Sequence, residues 1–319
     1  MKNILRLVLV FCVTTTFCWS QESQKPAFQL VPLGVRGGID ESNLSSYLLA
    51  PINSSDFICL DAGTVYAGIE KAIANKVFDV PAFEVLQNYI KGYLISHAHL
   101  DHVSGLIITS PADASKTVYA TKDCMQMMQK HYFNGETWAN FGDEGPGFQL
   151  KKYHFQTLPL QKEIELTNTT MTVQAFKLSH VNPFESSAFL VRNDQDYVLY
   201  LGDTGPDLVE KSTDLKELWQ AVAPLIKTKQ LRAICIETSF PNEQSDQSLF
   251  GHLTPKWLMY EMNELRKLTS KKDMKGLKLI ITHLKPPTES MEKIKEQLKA
   301  ENVLELDLIF PEQGKRMEL

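Results

Sequence analysis

His97-Ala98-His99-Leu100-Asp101-His102 puts three of the chain's eight histidines and an aspartate into six residues, directly after the short apolar run Tyr93-Leu94-Ile95 and Ser96. Neutral imidazoles and a carboxylate are the donors that suit Zn²⁺ and its first-row neighbours, and a loop at a strand end can turn consecutive side chains toward one point. Histidine is about one residue in forty of this chain, so chance clustering on a solvated loop is a poor account of the stretch. It reads as a metal-holding loop.

Outward from that loop, strand-like and helix-like segments alternate. Residues 28–35, 46–49 and 57–60 read as strands, the first two flanking a Gly37-Gly38 turn, and a helix-like stretch covers 65–75. Beyond the loop, strands are expected at 117–120, 172–178, 188–192, 197–201, 231–236 and 277–282, and helices at 121–132, 214–229, 255–268 and 290–300. Such alternation predicts a layered α/β protein, and the absence of a low-complexity linker reads as one domain.

Three more strand ends carry one ligand-capable residue each. His180 follows the strand at 172–178, Asp203 follows 197–201 within Leu201-Gly202-Asp203-Thr204-Gly205, and His283 follows 277–282. Loops at strand ends are where α/β proteins place their sites, although any one of these residues alone reads as a turn or cap. Together with the histidine loop they supply what a second metal position needs.

Composition narrows the function classes. The 319 residues are 43% hydrophobic and 22% charged, which is globular and excludes disordered, collagenous and coiled-coil chains. The amino terminus reads as a secretory leader over residues 1–20: Lys2 and Arg6 around an apolar run too short to span a bilayer, with cleavage expected before Gln21. Phe17 stands before Cys18 where a lipobox carries a small residue, so no stable membrane anchor is expected. Without the leader, the 33 Lys and Arg fall to 31 against 38 Asp and Glu, a formal charge of −7. That balance disfavours holding nucleic acid by bulk electrostatics. The remaining cysteines, Cys59, Cys124 and Cys235, form no CxxC, and Cys59 and Cys235 sit in apolar runs. They read as buried core residues, leaving histidine and carboxylate to hold any metal.

The ordered set Asp61, His97-x-His99-x-Asp101-His102, His180, Asp203 and His283 resembles the metal-binding series of the metallo-β-lactamase superfamily. More narrowly, the run from His97 to Pro111, HAHLDHVSGLIITSP, resembles the signature of the class II 3′,5′-cyclic-nucleotide phosphodiesterases. Supporting segments are Gly37-Gly38, Asn43-Leu44-Ser45-Ser46-Tyr47-Leu48, Glu237-Thr238-Ser239-Phe240 and Gly251-His252-Leu253-Thr254-Pro255. The resemblance implies a four-layer αββα sandwich over residues 21–319 with metals at one edge. It also implies that His97, His99 and His180 bind one ion, that Asp101, His102 and His283 bind a second, and that Asp203 bridges them. Asp61 is expected to orient a ligand histidine.

Two divalent ions, zinc by preference and manganese or iron otherwise, would lower the pKa of a shared water from about 15.7 toward about 7. The metal-bound hydroxide would then attack phosphorus in a cyclic nucleotide, cyclic AMP and also cyclic GMP, giving a nucleoside 5′-phosphate. Asp101, His252 and Glu237 are the catalytic candidates beyond pure ligation. His252 precedes a helix with Thr254 as N-cap and Pro255 at its first position, where free amides favour an anion, and Glu237 is placed to orient it. Trp138 and Phe141, in a Gly-rich aromatic stretch at 132–148, are candidates for stacking on the base, and Asn43 for substrate contact. His131 and His154 lie outside the series and read as surface or core histidines.

Rival readings are an RNase Z-like phosphodiesterase, a β-lactamase- or lactonase-type acyl hydrolase, and a binding protein without turnover. The acidic chain and the leader argue against a polyanionic substrate, and the long signature favours phosphorus chemistry. A ligand set without gaps argues against a mere binder. A periplasmic or secreted location follows from the leader.

Overall fold

The computed structural model describes residues 25–181 and 183–319, so the leader read from the sequence lies outside the described residues. The first part of the chain forms β1 (Phe28–Gly34), β2 (Ser46–Pro51), β3 (Phe57–Leu60), β4 (Ile90–Ile95), β5 (Lys116–Ala120), β6 (Asn140–Gly142) and β7 (Gln149–Thr157). The second forms β8 (Glu163–Glu165), β9 (Thr172–Ser179), β10 (Glu185–Asn193), β11 (Asp196–Leu201), β12 (Leu231–Glu237), β13 (Lys278–Thr282) and β14 (Asp307–Ile309). The carboxyl-terminal β15 (Met317–Glu318) returns to pair with β1, giving one sheet in the order β15-β1-β2-β3-β4-β5-β7-β6 and another in the order β14-β13-β12-β11-β10-β9-β8.

Both faces of the central strands are apolar, and the two-residue side-chain period sends alternate residues to different layers. Val198 and Tyr200 of β11 face the other sheet, meeting Tyr47, Leu49 and Leu60, whereas Leu199 and Leu201 face outward. The outward residues of the first sheet, among them Val31, Leu48 and Cys59, bury against α1 (Tyr66–Ala74), α3 (Leu100–Thr109) and α4 (Lys122–His131), with a short α2 (Ala82–Glu84) between. Those of the second sheet bury against α6 (Asp214–Lys227), α7 (Pro255–Leu268) and α9 (Thr288–Glu301), accompanied by the short α5 (Asp207–Glu210) and α8 (Lys271–Met274). The result is the expected αββα sandwich. Each fully buried Leu, Ile or Phe stabilises it by roughly 1.5–3 kcal/mol.

Strands and helices read from the sequence are found with ends shifted by at most three residues, but β6, β7, β8, β14 and β15 were not anticipated. In β7 the run Gln149-Leu-Lys-Lys-Tyr-His-Phe buries Tyr153 and Phe155 and leaves Lys151 and His154 in solvent, so polarity hides the strand. Cys59, Cys124 and Cys235 are buried free thiols, as expected, and burial pushes Cys59 and Cys235 up to about 12. Among the described residues no helix is long and apolar enough to cross a membrane.

Parallel pairing sets the place of the site. Strands β3, β4 and β5 run parallel in one sheet, as do β11, β12 and β13 in the other, so each set delivers its following loops at a common edge. Asp61 follows β3, the histidine loop follows β4, Asp203 follows β11, Glu237 ends β12 and His283 follows β13.

Candidate metal centre

His99 is the N-cap of α3, so Asp101 and His102 fall in the helix's first turn while His97 stays on the loop before it. That turn brings one group of donors together with His180 and another with Asp203 and His283. In the first, His97 Nε2 lies 3.1 Å from His99 Nδ1, and His180 Nε2 lies 3.2 Å from the same atom. In the second, Asp203 Oδ2 stands 3.3 Å from His102 Nε2 and 3.2 Å from His283 Nε2, while Asp101 Oδ2 stands 3.2 Å from His283 Nε2. Asp203 Oδ2 is also 3.8 Å from His97 Nε2, which places this carboxylate between the groups.

The outer partners decide which nitrogen carries each proton. Ser96 Oγ donates to Asp61 Oδ2, so at 3.0 Å it accepts from His97 Nδ1. Ser239 Oγ donates to Glu237 Oε2 and accepts from His283 Nδ1 at 2.9 Å. His102 Nδ1 donates to Asp61 Oδ2 at 2.8 Å, and His180 Nδ1 to the Gly251 carbonyl at 2.8 Å. All four rings therefore keep a proton on Nδ1 and turn Nε2 inward, the nitrogen that a metal would take. His102 Nε2 is fully buried and, among the described residues, has no well-aligned hydrogen-bond partner, Asp203 Oδ2 standing off at 3.3 Å; a cation between them would satisfy both. Two ligands at about 2.0–2.1 Å from one tetrahedral ion stand about 3.3 Å apart, the spacing found here. The residues fit divalent metal.

Close packing of backbone against these rings requires glycine at two places. A Cβ on Gly37 would lie 2.1 Å from Cε1 of His283 and 2.4 Å from both ring nitrogens, far closer than van der Waals contact allows. At Gly251, whose φ is +72°, a Cβ would lie 2.6 Å from His180 Nδ1.

Charge is arranged around the same atoms. Burial disfavours cationic imidazole and holds His97 well below its ordinary value, with neighbouring His102 adding to the effect; burial and His180 bring His99 down to about 4. His102 moves the other way: burial opposes its cation, but Asp203, Asp61 and Asp101 outweigh it. Burial likewise opposes the Asp203 carboxylate, yet His102 and His283 hold it well below the usual carboxylate range. Asp61 accepts from Ser96 N, Ser96 Oγ, Tyr200 Oη and His102 Nδ1, which holds the His102 ring in place.

His252 lies beside the two groups, its Nδ1 2.7 Å from Glu237 Oε1, and Thr254 caps α7 by accepting from Trp257 N. Burial and nearby Asp203 push Glu237 up to about 7, and burial brings His252 down to about 3. Sequence reasoning missed three neighbours. Lys285 Nζ is 2.7 Å from His252 Nε2, Phe184 stacks on His99 at 4.7 Å, and Ser239 links Glu237 to His283. The signals available were a cation two residues past His283 and an aromatic four past His180.

The substrate-contact expectations fare differently. Phe141 is packed in the core and has the Lys152 ammonium 5.1 Å from its ring, so it offers no free face for a base. Asn43 is buried with its side-chain oxygen accepting from Val35 N, and the cavity of about 400 Å³ that it lines includes no residue of the histidine cluster. Both expectations are corrected: β6 pairing and the turn after β1 use these side chains for packing. Trp138 is 37% exposed and its Nε1 donates to Ser110 Oγ, which ties the aromatic loop to the Ser-Pro end of the signature. Tyr132 reaches the histidine loop, donating to the Ala98 carbonyl at 2.8 Å. His131 and His154 stay outside the cluster, the latter paired with Asp143.

The family model of class-II cAMP phosphodiesterases matches residues 28–314. A 3′,5′-cyclic-nucleotide phosphodiesterase of Aliivibrio fischeri is 40% identical over 98% of this chain and 98% of that protein. A cAMP/cGMP-dependent 3′,5′-cAMP/cGMP phosphodiesterase A of Dictyostelium discoideum is 30% identical, covering 92% of this chain and 82% of its own. Among solved structures, unliganded yeast PDE1 superposes with a TM-score of 0.82 at 24% identity, over 92% of this chain and 100% of that one. The metallo-β-lactamase fold protein YhfI of Bacillus subtilis gives 0.62 at 16% identity, over 92% and 100%.

Proposed function

The chain belongs to the class-II cAMP phosphodiesterases, and from that premise we propose that it hydrolyses 3′,5′-cyclic nucleotides to nucleoside 5′-phosphates at the histidine–aspartate cluster. The observation that carries the siting is the pair of donor groups that meet at Asp203. His97, His99 and His180 would hold one divalent ion, and Asp101, His102 and His283 a second, with Asp203 shared. Zinc is the ion that this histidine-rich set favours, with manganese or iron as substitutes. When bound there, such ions would supply Lewis acidity toward the phosphate and would lower the pKa of a nearby water toward about 7.

The chain's own residues prepare that chemistry. Asp61, Ser96, Ser239 and the Gly251 carbonyl hold the Nδ1 protons, so the inward nitrogens stay free of them. Glu237 fixes the His252 ring through Nδ1, and His252 Nε2 accepts from the Lys285 ammonium, so the ring holds that cation beside the donor groups, where the phosphate and the departing ribose 3′ oxygen would lie. Positive charge for the substrate is local, in a chain that is acidic as a whole, which suits a small cyclic nucleotide over a long polyanion. The leader at residues 1–20 supports a periplasmic or secreted enzyme.

Assaying the purified protein on cyclic AMP, cyclic GMP, a 2′,3′-cyclic nucleotide and a chromogenic β-lactam, with metal analysis of the same sample, tests this. The expected result is 5′-nucleotide from the 3′,5′-cyclic substrates, lost on chelation and restored by zinc. Hydrolysis of the β-lactam alone overturns it.

A further inference from the structure

Lys285 stands on the loop after β13, two residues beyond His283. Its ammonium uses one of three N–H groups on His252 Nε2 at 2.7 Å and lies 5.0 Å from the centre of the Phe240 ring. Among the described residues no carboxylate lies within ion-pair distance of it, although its charge opposes the rise that burial causes in the Glu237 carboxyl on the far side of His252. The stem runs beside the Gly37-Gly38 turn, 3.9 Å from the place a Gly38 Cβ would take, and Gly38 N donates to Asp101 Oδ2 at 3.1 Å. One turn thus links the lysine to the second donor group.

We infer that Lys285 binds a non-bridging oxygen of the substrate phosphate, a direct contact additional to the metal-ligand set and to His252. A half-buried ammonium whose direct contacts are an imidazole and an aromatic face, with Glu237 beyond the imidazole, has two N–H donors still available. His252 and Phe240 fix its position, so little ordering remains when an anion arrives. No bond is made or broken by this residue; it contributes fixed charge where the phosphate sits. The inference rests on the phosphodiesterase reading of the site.

The test pairs Lys285→Met and Lys285→Arg with the wild type, all zinc-loaded and checked for zinc content and thermal unfolding. Inorganic phosphate titrated calorimetrically should bind K285M at least about 10-fold more weakly and K285R with most of the affinity restored. For cyclic AMP, kcat/KM should fall about 10²-fold in K285M. In a His252→Ala background, K285M should still weaken phosphate binding; a lysine that acts only by propping His252 would add nothing there. Unchanged phosphate affinity in folded, zinc-replete K285M overturns the inference while leaving the phosphodiesterase reading intact. Absence of cyclic nucleotide turnover in the wild type overturns that reading, and the phosphate titration still judges Lys285 as an anion ligand.

Discussion

Replacing Asp61 by Asn removes a charge and almost no volume, so its consequences can be followed atom by atom. Asp61 Oδ1 accepts from Ser96 N at 2.7 Å, while Oδ2 accepts from Ser96 Oγ and Tyr200 Oη at 2.7 Å each and from His102 Nδ1 at 2.8 Å. With the amide oxygen kept on Ser96 N, the new NH₂ faces three donors. The two hydroxyls can rotate to accept, but the imidazole must surrender its Nδ1 proton, and the other tautomer carries it on Nε2, 3.3 Å from Asp203. The inward lone pair is then gone. Loss of an outer partner of a ligand histidine costs about 10–100-fold in metal affinity, or about 1.4–2.7 kcal/mol, and the imperfectly paired buried group costs folding about 1–3 kcal/mol more. Competition against a chromogenic chelator should show the zinc at His102 weakened 10–100-fold by these figures and the zinc at His97, which loses only the Ser96 hydroxyl's orientation, weakened less. Turnover should fall at limiting zinc and recover in part with excess. Wild-type affinity for both ions in folded D61N would refute the tautomer argument.

Gly37→Ala drives a methyl to 2.1 Å from the His283 ring, so His283 has to leave its Ser239 bond; turnover should fall about 10²-fold and one zinc be lost, and full zinc stoichiometry with normal turnover would count against this. Glu261, buried and bonded to Trp219 Nε1 and Asp207 N, is pushed by burial from 4.5 up to about 7, with Asp207 and Glu264 adding to the effect. A carboxyl with a raised folded-state pKa binds more protons folded than unfolded between those values, so stability falls as pH rises from 4.5 to 7. Glu261→Gln should match the wild type in denaturant unfolding at pH 4.5 and exceed it by up to about 3 kcal/mol at pH 8; an unchanged pH slope would be the contrary result.

The core strands were legible because they are buried on both faces and read as unbroken apolar runs: Phe57–Leu60 was bounded correctly at both ends. Ligand-capable residues were legible because each follows such a strand. What stayed hidden depends on contacts between distant segments. Lys285 looks like any loop lysine until β12 and β13 pair and bring His252 and Phe240 to it. Phe141 resembles a pocket aromatic until the three-residue β6 pairs with β7 and turns its ring into the core. Short edge strands such as β8 and β14 owe their conformation to the neighbour they pair with, which local propensity does not encode.

The donor groups draw on both sheets. His97 and His99 come from the first and His180 from the second; Asp101 and His102 come from the first and Asp203 and His283 from the second. Neither half of the sandwich owns a complete set, so an ion bound by either group would act as a rivet through the seam. Its binding free energy becomes cohesion between halves, about 2.7 kcal/mol when free metal stands at 100 times its dissociation constant. Metal supply would then govern how long the folded enzyme survives proteases as well as how fast it turns over.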